Sequence, residues 1–165
     1  MKVIFLDIDG VLNMYGSSCR TFMKDYGQHI EPHLVQRLNY IVEQTECKIV
    51  ISSSWRSDME DLKKQLEEQG FKYWCQVIGK TCHCKVKDES LPYPRTRDNY
   101  LYNDRGEQIL DYVKRHNLHL HKWLMVDDEI SDSVEYMSMD HIVQTDYNEG
   151  MLHKDAIEII SRLNN

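Results

Sequence analysis

The chain opens on four consecutive apolar residues, Val3-Ile4-Phe5-Leu6, that run directly into Asp7-Ile8-Asp9-Gly10-Val11-Leu12. A short, unbroken apolar run bounded by a turn signal predicts a strand buried on both faces, as at the centre of a parallel sheet. Two carboxylates then stand two residues apart where that strand stops, and Gly10 lets the chain turn sharply away. An Asp-rich turn or a helix cap needs one such residue, so the second asks for a charge partner. Ligands of open α/β sheets bind outside the carboxyl ends of the strands, where a cation and a phosphate explain paired aspartates better than packing does.

The remaining pattern alternates helix and strand. A helix is predicted over about 31–45, with Pro32 in its first turn and Leu34, Leu38, Ile41 and Val42 on one face. Lys48-Ile49-Val50-Ile51 reads as a second buried strand, ending on Ser52-Ser53-Ser54-Trp55-Arg56, and a helix over about 58–69 closes at Gly70. Trp74-Cys75-Gln76-Val77-Ile78 is strand-like, and the segment after it has no clear period. A helix over about 105–116 turns Ile109, Leu110 and Val113 inward. Lys122-Trp123-Leu124-Met125-Val126 is a further buried strand, ending on Asp127-Asp128-Glu129. A strand at His141–Thr145 and a helix over about 153–163 complete the series. This order implies an α/β fold, a doubly wound three-layer, Rossmann-like parallel sheet with right-handed crossovers. At 165 residues the chain reads as a single domain, 1–165, with a flap at about 13–30 and an insert at about 71–104 that is too short for a second folding unit.

Charge and cysteine usage exclude several classes. A net charge of −7 argues against coating nucleic acid by an overall field, although a local basic patch remains compatible with gripping a strand end. No apolar stretch approaches the roughly 20 residues that span a bilayer. Asp7 and Asp9 interrupt the N-terminal apolar run too early for a signal peptide, so a cytoplasmic location is expected. The odd count of five cysteines fits free thiols. Cys75, Cys82, His83 and Cys84 lack the paired spacing of a structural zinc site. His116, His119 and His121 fall near a helix terminus, where they suit the dipole or solvent better than a metal.

Asp7-Ile8-Asp9-Gly10-Val11-Leu12 after its hydrophobic strand resembles the nucleophile motif of the haloacid dehalogenase (HAD) superfamily over the motif's whole length. The resemblance implies that Asp7 attacks a phosphoryl group to form an aspartyl phosphate, with Asp9 as acid and base. Both roles suit carboxyl groups, since a free carboxylate is a covalent nucleophile and a second one relays protons. The family's second motif is a Ser or Thr at the end of the second strand that donates to a phosphate oxygen. Ser52-Ser53-Ser54 occupies that place, with Ser53 the first choice and Ser52 the second, and Gly10 is counted with the phosphate-binding set. Arg105-Gly106-Glu107-Gln108-Ile109 resembles the basic motif of nucleic-acid repair phosphatases of the polynucleotide kinase/phosphatase kind, which puts Arg105 in the charge-offsetting role, with Lys122 as the substitute. Asp127 and Asp128 look like the acidic pair that completes a Mg²⁺ shell with Asp7 and the backbone carbonyl of Asp9. Asp132 is either a further outer acid or a helix N-cap.

The resemblance thus implies a Mg²⁺-dependent phosphohydrolase. The short flap and insert suggest an open site that admits a large substrate, such as a terminal phosphate on a polynucleotide. Tyr93-Pro94-Arg95-Thr96-Arg97-Asp98-Asn99-Tyr100 supplies rings and charges suited to stacking a base and touching its phosphates, or else is an exposed loop. Small nucleotides or sugar phosphates are the alternative substrates, and a non-catalytic binding module is the alternative of another class.

Overall fold

Residues Val3 to Leu6 are all buried, and alternate side chains serve opposite faces of a sheet. The computed structural model describes residues 1–14, 29–82 and 104–165. Within them, β1 (Lys2–Leu6), β2 (Lys48–Ile51), β3 (Val77–Lys80), β4 (Lys122–Asp127) and β5 (Ile142–Gln144) form one parallel sheet in the order β3-β2-β1-β4-β5. Helices α1 (Pro32–Thr45), α2 (Met59–Glu68) and α4 (His153–Asn164) cover one face. There Ile4 and Leu6 pack with Leu34, Leu38, Leu62, Leu66, Ile159 and Leu163. Helix α3 (Arg105–Arg115) covers the other, where Val3 and Phe5 meet Ile109, Tyr112 and Val113. The Phe5 ring meets Tyr112 and Trp123 edge-on at centroid separations of 5.6 and 5.8 Å, each contact worth about 0.5–1.5 kcal/mol beyond burial. These layers are the doubly wound fold that the alternating pattern implies.

Helix ends follow local chemistry. Pro32 starts α1, and the Asp58 carboxylate caps α2 by accepting from the Asp61 N–H. The strand expected at Trp74–Ile78 is displaced: Trp74–Gln76 forms a 3₁₀ turn and β3 starts at Val77. Phe71 is buried and Tyr73 and Trp74 pack against the core, so these rings anchor the approach to the edge rather than pair with β2. Pairing of β3 with β2 also shifts register between Ile49 and Val50. His141 likewise belongs to a 3₁₀ turn ahead of β5. The centre of the expected flap, most of the expected insert with its Tyr93–Tyr100 run, and His83 and Cys84 lie outside the described residues. Within them Cys47, Cys75 and Cys82 are free thiols, and no helix is long and apolar enough to cross a membrane.

The strand order places the site. From β1 the chain winds out to β2 and β3 on one side, then returns to β4 and β5 on the other, so the order reverses between β1 and β4. Such a reversal opens a crevice at the carboxyl ends of the two strands. Register pairs Leu6 with Val126, and the Asp7 N–H extends the ladder to the Val126 carbonyl at 3.0 Å. Asp7 and Asp127 therefore emerge side by side.

Candidate active site

Carboxylate oxygens of Asp7, Asp127 and Asp128 lie within 4.8 Å of one another. The first two acids are almost wholly buried and the third half-buried. Arg105, the first residue of α3, brings Nη1 to 3.2 Å from Asp7 Oδ1 and 3.1 Å from Asp127 Oδ2. That nitrogen is buried and meets neither oxygen in hydrogen-bonding geometry. A buried donor left so costs about 1–3 kcal/mol, which an incoming anion oxygen would recover. Lys122, the substitute, starts β4 and so sits at the opposite end of the sheet from Asp127.

One guanidinium does not balance three acids. Burial raises the Asp127 carboxyl to about 8, the Asp7 charge adds to the rise, and Arg105 opposes it. Burial raises Asp7 as well, against Arg105 and a hydrogen bond from the Ser53 hydroxyl. Asp128 is raised by burial and then by the Asp7 charge. Three convergent carboxylates whose ionised forms are disfavoured fit a hard divalent cation with oxygen ligands, and Mg²⁺ is such a cation. The Asp9 carboxylate is not in this cluster, which leaves the Asp9 backbone carbonyl as its atom for the expected shell.

Beyond β1 the turn is held from several directions. Gly10 has φ +65°, and its N–H donates to Asn13 Oδ1 at 2.9 Å while its carbonyl accepts from the Thr145 hydroxyl at 2.8 Å. Its N–H is thus engaged within the turn that Gly10 shapes. A Cβ at Gly10 would stand 2.4 Å from Asp128 Cγ. We expect Gly10→Ala to cost roughly 1–3 kcal/mol in backbone strain and to displace Asp128. Thermal unfolding and Mg²⁺ calorimetry check this: the variant should melt lower and bind Mg²⁺ more weakly.

The serine run separates by direction. The Ser53 hydroxyl reaches Asp7, while the Ser52 hydroxyl instead accepts from Thr81 Oγ1 at 3.5 Å and its N–H pairs with Leu6. Ser54 is exposed. Asp132 proves to be a cap, though for α3 from a distant segment: it accepts from the Arg105 N–H at 2.9 Å. A Cβ at Gly106 would stand 2.9 Å from Ser133 Cα and Tyr136 Cβ, so the glycine admits the capping segment and thereby fixes where Arg105 starts.

Further residues of the site have no role assigned to them by the sequence motifs. The Trp55 indole N–H donates to both Asp9 oxygens at 3.0 Å, and Asn13 Nδ2 donates to Asp9 Oδ1 at 2.7 Å. Buried Arg56 donates from Nη1 to the Ser53 carbonyl at 2.8 Å and from Nη2 to Gln108 Oε1 at 2.7 Å, tying the serine turn to α3. Thr145 and Gln108 act at separations of 135 and 52 residues. Asn13, close in sequence to Asp9, and Trp55 and Arg56, beside the serine run, offered local signals.

The model of the family described as the HAD domain in Swiss Army Knife RNA repair proteins matches residues 3–156, a span that runs from β1 into α4 and contains every site residue above. No curated protein matches the chain. On a match of that extent, over a sheet wound in this order, the chain belongs to the HAD domains of Swiss Army Knife RNA repair proteins and so to a superfamily of phosphatase-type hydrolases.

Proposed function

We propose that this chain is a Mg²⁺-dependent phosphohydrolase that removes a terminal phosphate from a polynucleotide through an aspartyl phosphate at Asp7. The observation that carries the reading is the convergence of Asp7, Asp127 and Asp128 beside Arg105. Asp7, Asp127 and Asp128 would hold Mg²⁺, which when bound offsets their charge and polarises phosphoryl oxygens. Arg105 and Ser53 orient the phosphoryl group, the first by its charge and the second through a hydroxyl donor. Asp7 then attacks phosphorus while Asp9, held by Trp55 and Asn13, protonates the departing oxygen. In the second step Asp9 takes a proton from water, which attacks phosphorus and releases Asp7.

The substrate class rests on two supports. The matched family is described by RNA repair proteins, and the Arg105-Gly106 segment resembles the basic motif of nucleic-acid repair phosphatases. Phosphate release from a 3′-phosphorylated RNA oligonucleotide, a mononucleotide and a sugar phosphate, each with and without Mg²⁺, tests the reading. The oligonucleotide should be preferred by at least about tenfold in kcat/KM, a difference of about 1.4 kcal/mol in transition-state binding. A comparable preference for the mononucleotide would replace the polynucleotide reading with a small-nucleotide one. Absence of release from all three would favour a binding module.

A further inference from the structure

One 3₁₀ turn, Ser54–Ser57, serves both acids that follow β1, Asp7 through its capping residue and Asp9 through Trp55. Its capping residue Ser53 reaches Asp7 and accepts from the Trp55 N–H at 3.4 Å. Arg56 fastens the turn to Gln108 of α3, and Lys80 at the end of β3 donates to the Arg56 carbonyl at 2.8 Å. The turn is thus fixed from two sides, and with it the direction of the Trp55 indole N–H. That N–H meets both oxygens of Asp9 at equal distance, 3.0 Å, with Asn13 adding a third hydrogen bond at 2.7 Å.

An indole nitrogen only donates, so it tolerates a carboxylate whichever oxygen carries the proton. Asp9 is half-buried, so water would otherwise compete for its oxygens. We propose that Trp55 is a positioning residue for Asp9 in both proton transfers, an inference that rests on the phosphohydrolase reading above. In the first step the bond from Asp7 to phosphorus forms and the bond to the leaving oxygen breaks. The electron pair leaves with that oxygen, which takes the Asp9 proton. In the second step a water proton passes to Asp9, the water oxygen bonds to phosphorus, and the electron pair of the broken bond returns to Asp7. The need for Asp9 in the first step therefore grows with the basicity of the leaving oxygen.

That dependence gives the test. Trp55→Phe keeps a ring and removes the donor. In kcat/KM, which reports the steps through leaving-group departure, p-nitrophenyl phosphate should stay within about threefold of wild type, because its leaving group needs little protonation. Phenyl and ethyl phosphates should lose about tenfold or more, a fraction of the hundredfold or greater effect of a whole general acid. The plot against leaving-group pKa should steepen. A parallel loss across the series, an unchanged slope, or a loss confined to KM overturns the proposal. A crystal structure of Trp55→Phe supplies a readout independent of turnover: the Asp9 carboxylate should rotate away from its wild-type direction, and an unmoved carboxylate overturns the proposal even when rates change. Wild-type protein inactive on the whole series would instead refute the phosphohydrolase reading, and the crystal structure would then decide the placement of Asp9 by itself.

Discussion

Asp7→Asn should abolish phosphate release, lowering kcat by at least about a thousandfold, as loss of a covalent nucleophile does elsewhere. Asparagine keeps the shape of the side chain and the N–H bond to Val126, so the fold has no reason to fail. Stability should hold or rise, because burial already disfavours the Asp7 carboxylate and the substitution removes one of three mutually repelling acids. Arg105 keeps Asp127 as a partner. Steady-state kinetics alongside thermal unfolding check both halves. A variant that melts normally and retains a tenth of wild-type turnover would remove Asp7 from the nucleophile's role.

Arg105→Ala should act on stability and on activity in different ways. Removing the guanidinium leaves Asp7 and Asp127 buried and facing each other, and breaking a buried pair by deleting one partner costs about 3–5 kcal/mol. A divalent cation on the same carboxylates replaces the lost positive charge, so Mg²⁺ should restore most of the melting temperature. Activity should not return, because the phosphate has lost its donor: kcat/KM should stay down by about thirtyfold or more, the 2–5 kcal/mol range of a truncated charge pair. Unfolding with and without Mg²⁺, together with kinetics at saturating Mg²⁺, reads the two effects separately. Full recovery of activity with Mg²⁺ would make Arg105 a structural residue alone.

Much of this architecture is legible in the sequence because burial and chemistry are written there in different letters. Val3–Leu6, Ile49–Ile51 and Trp123–Val126 are unbroken apolar runs, and each stops where a group suited to phosphate or metal begins. Pro32 and Gly70 mark helix ends by local rules. What stays hidden depends on direction or on distance along the chain. Ser52 and Ser53 are adjacent and chemically alike, yet strand alternation sends one hydroxyl to Thr81 and the other to Asp7. Asp132 caps α3 from 27 residues away, so the helix it serves precedes it instead of following. Trp74 looks like a strand residue but packs with Phe71 and Tyr73 as an anchor, and β3 begins only at Val77. Trp55 sits in a motif on account of its serine neighbours, and only the fold brings its N–H to Asp9 across 46 residues of chain.

In the proposed mechanism, acids at the ends of β1 and β4 gather one divalent ion beside the residue that bonds to phosphorus. A crystal structure grown with Mg²⁺ tests this most directly. The ion should lie about 2.0–2.1 Å from oxygens of Asp7 and of Asp127 or Asp128, with Arg105 beside it. An electron-density map at saturating Mg²⁺ that has no ion among these carboxylates, with Arg105 alone bridging Asp7 and Asp127, would contradict it.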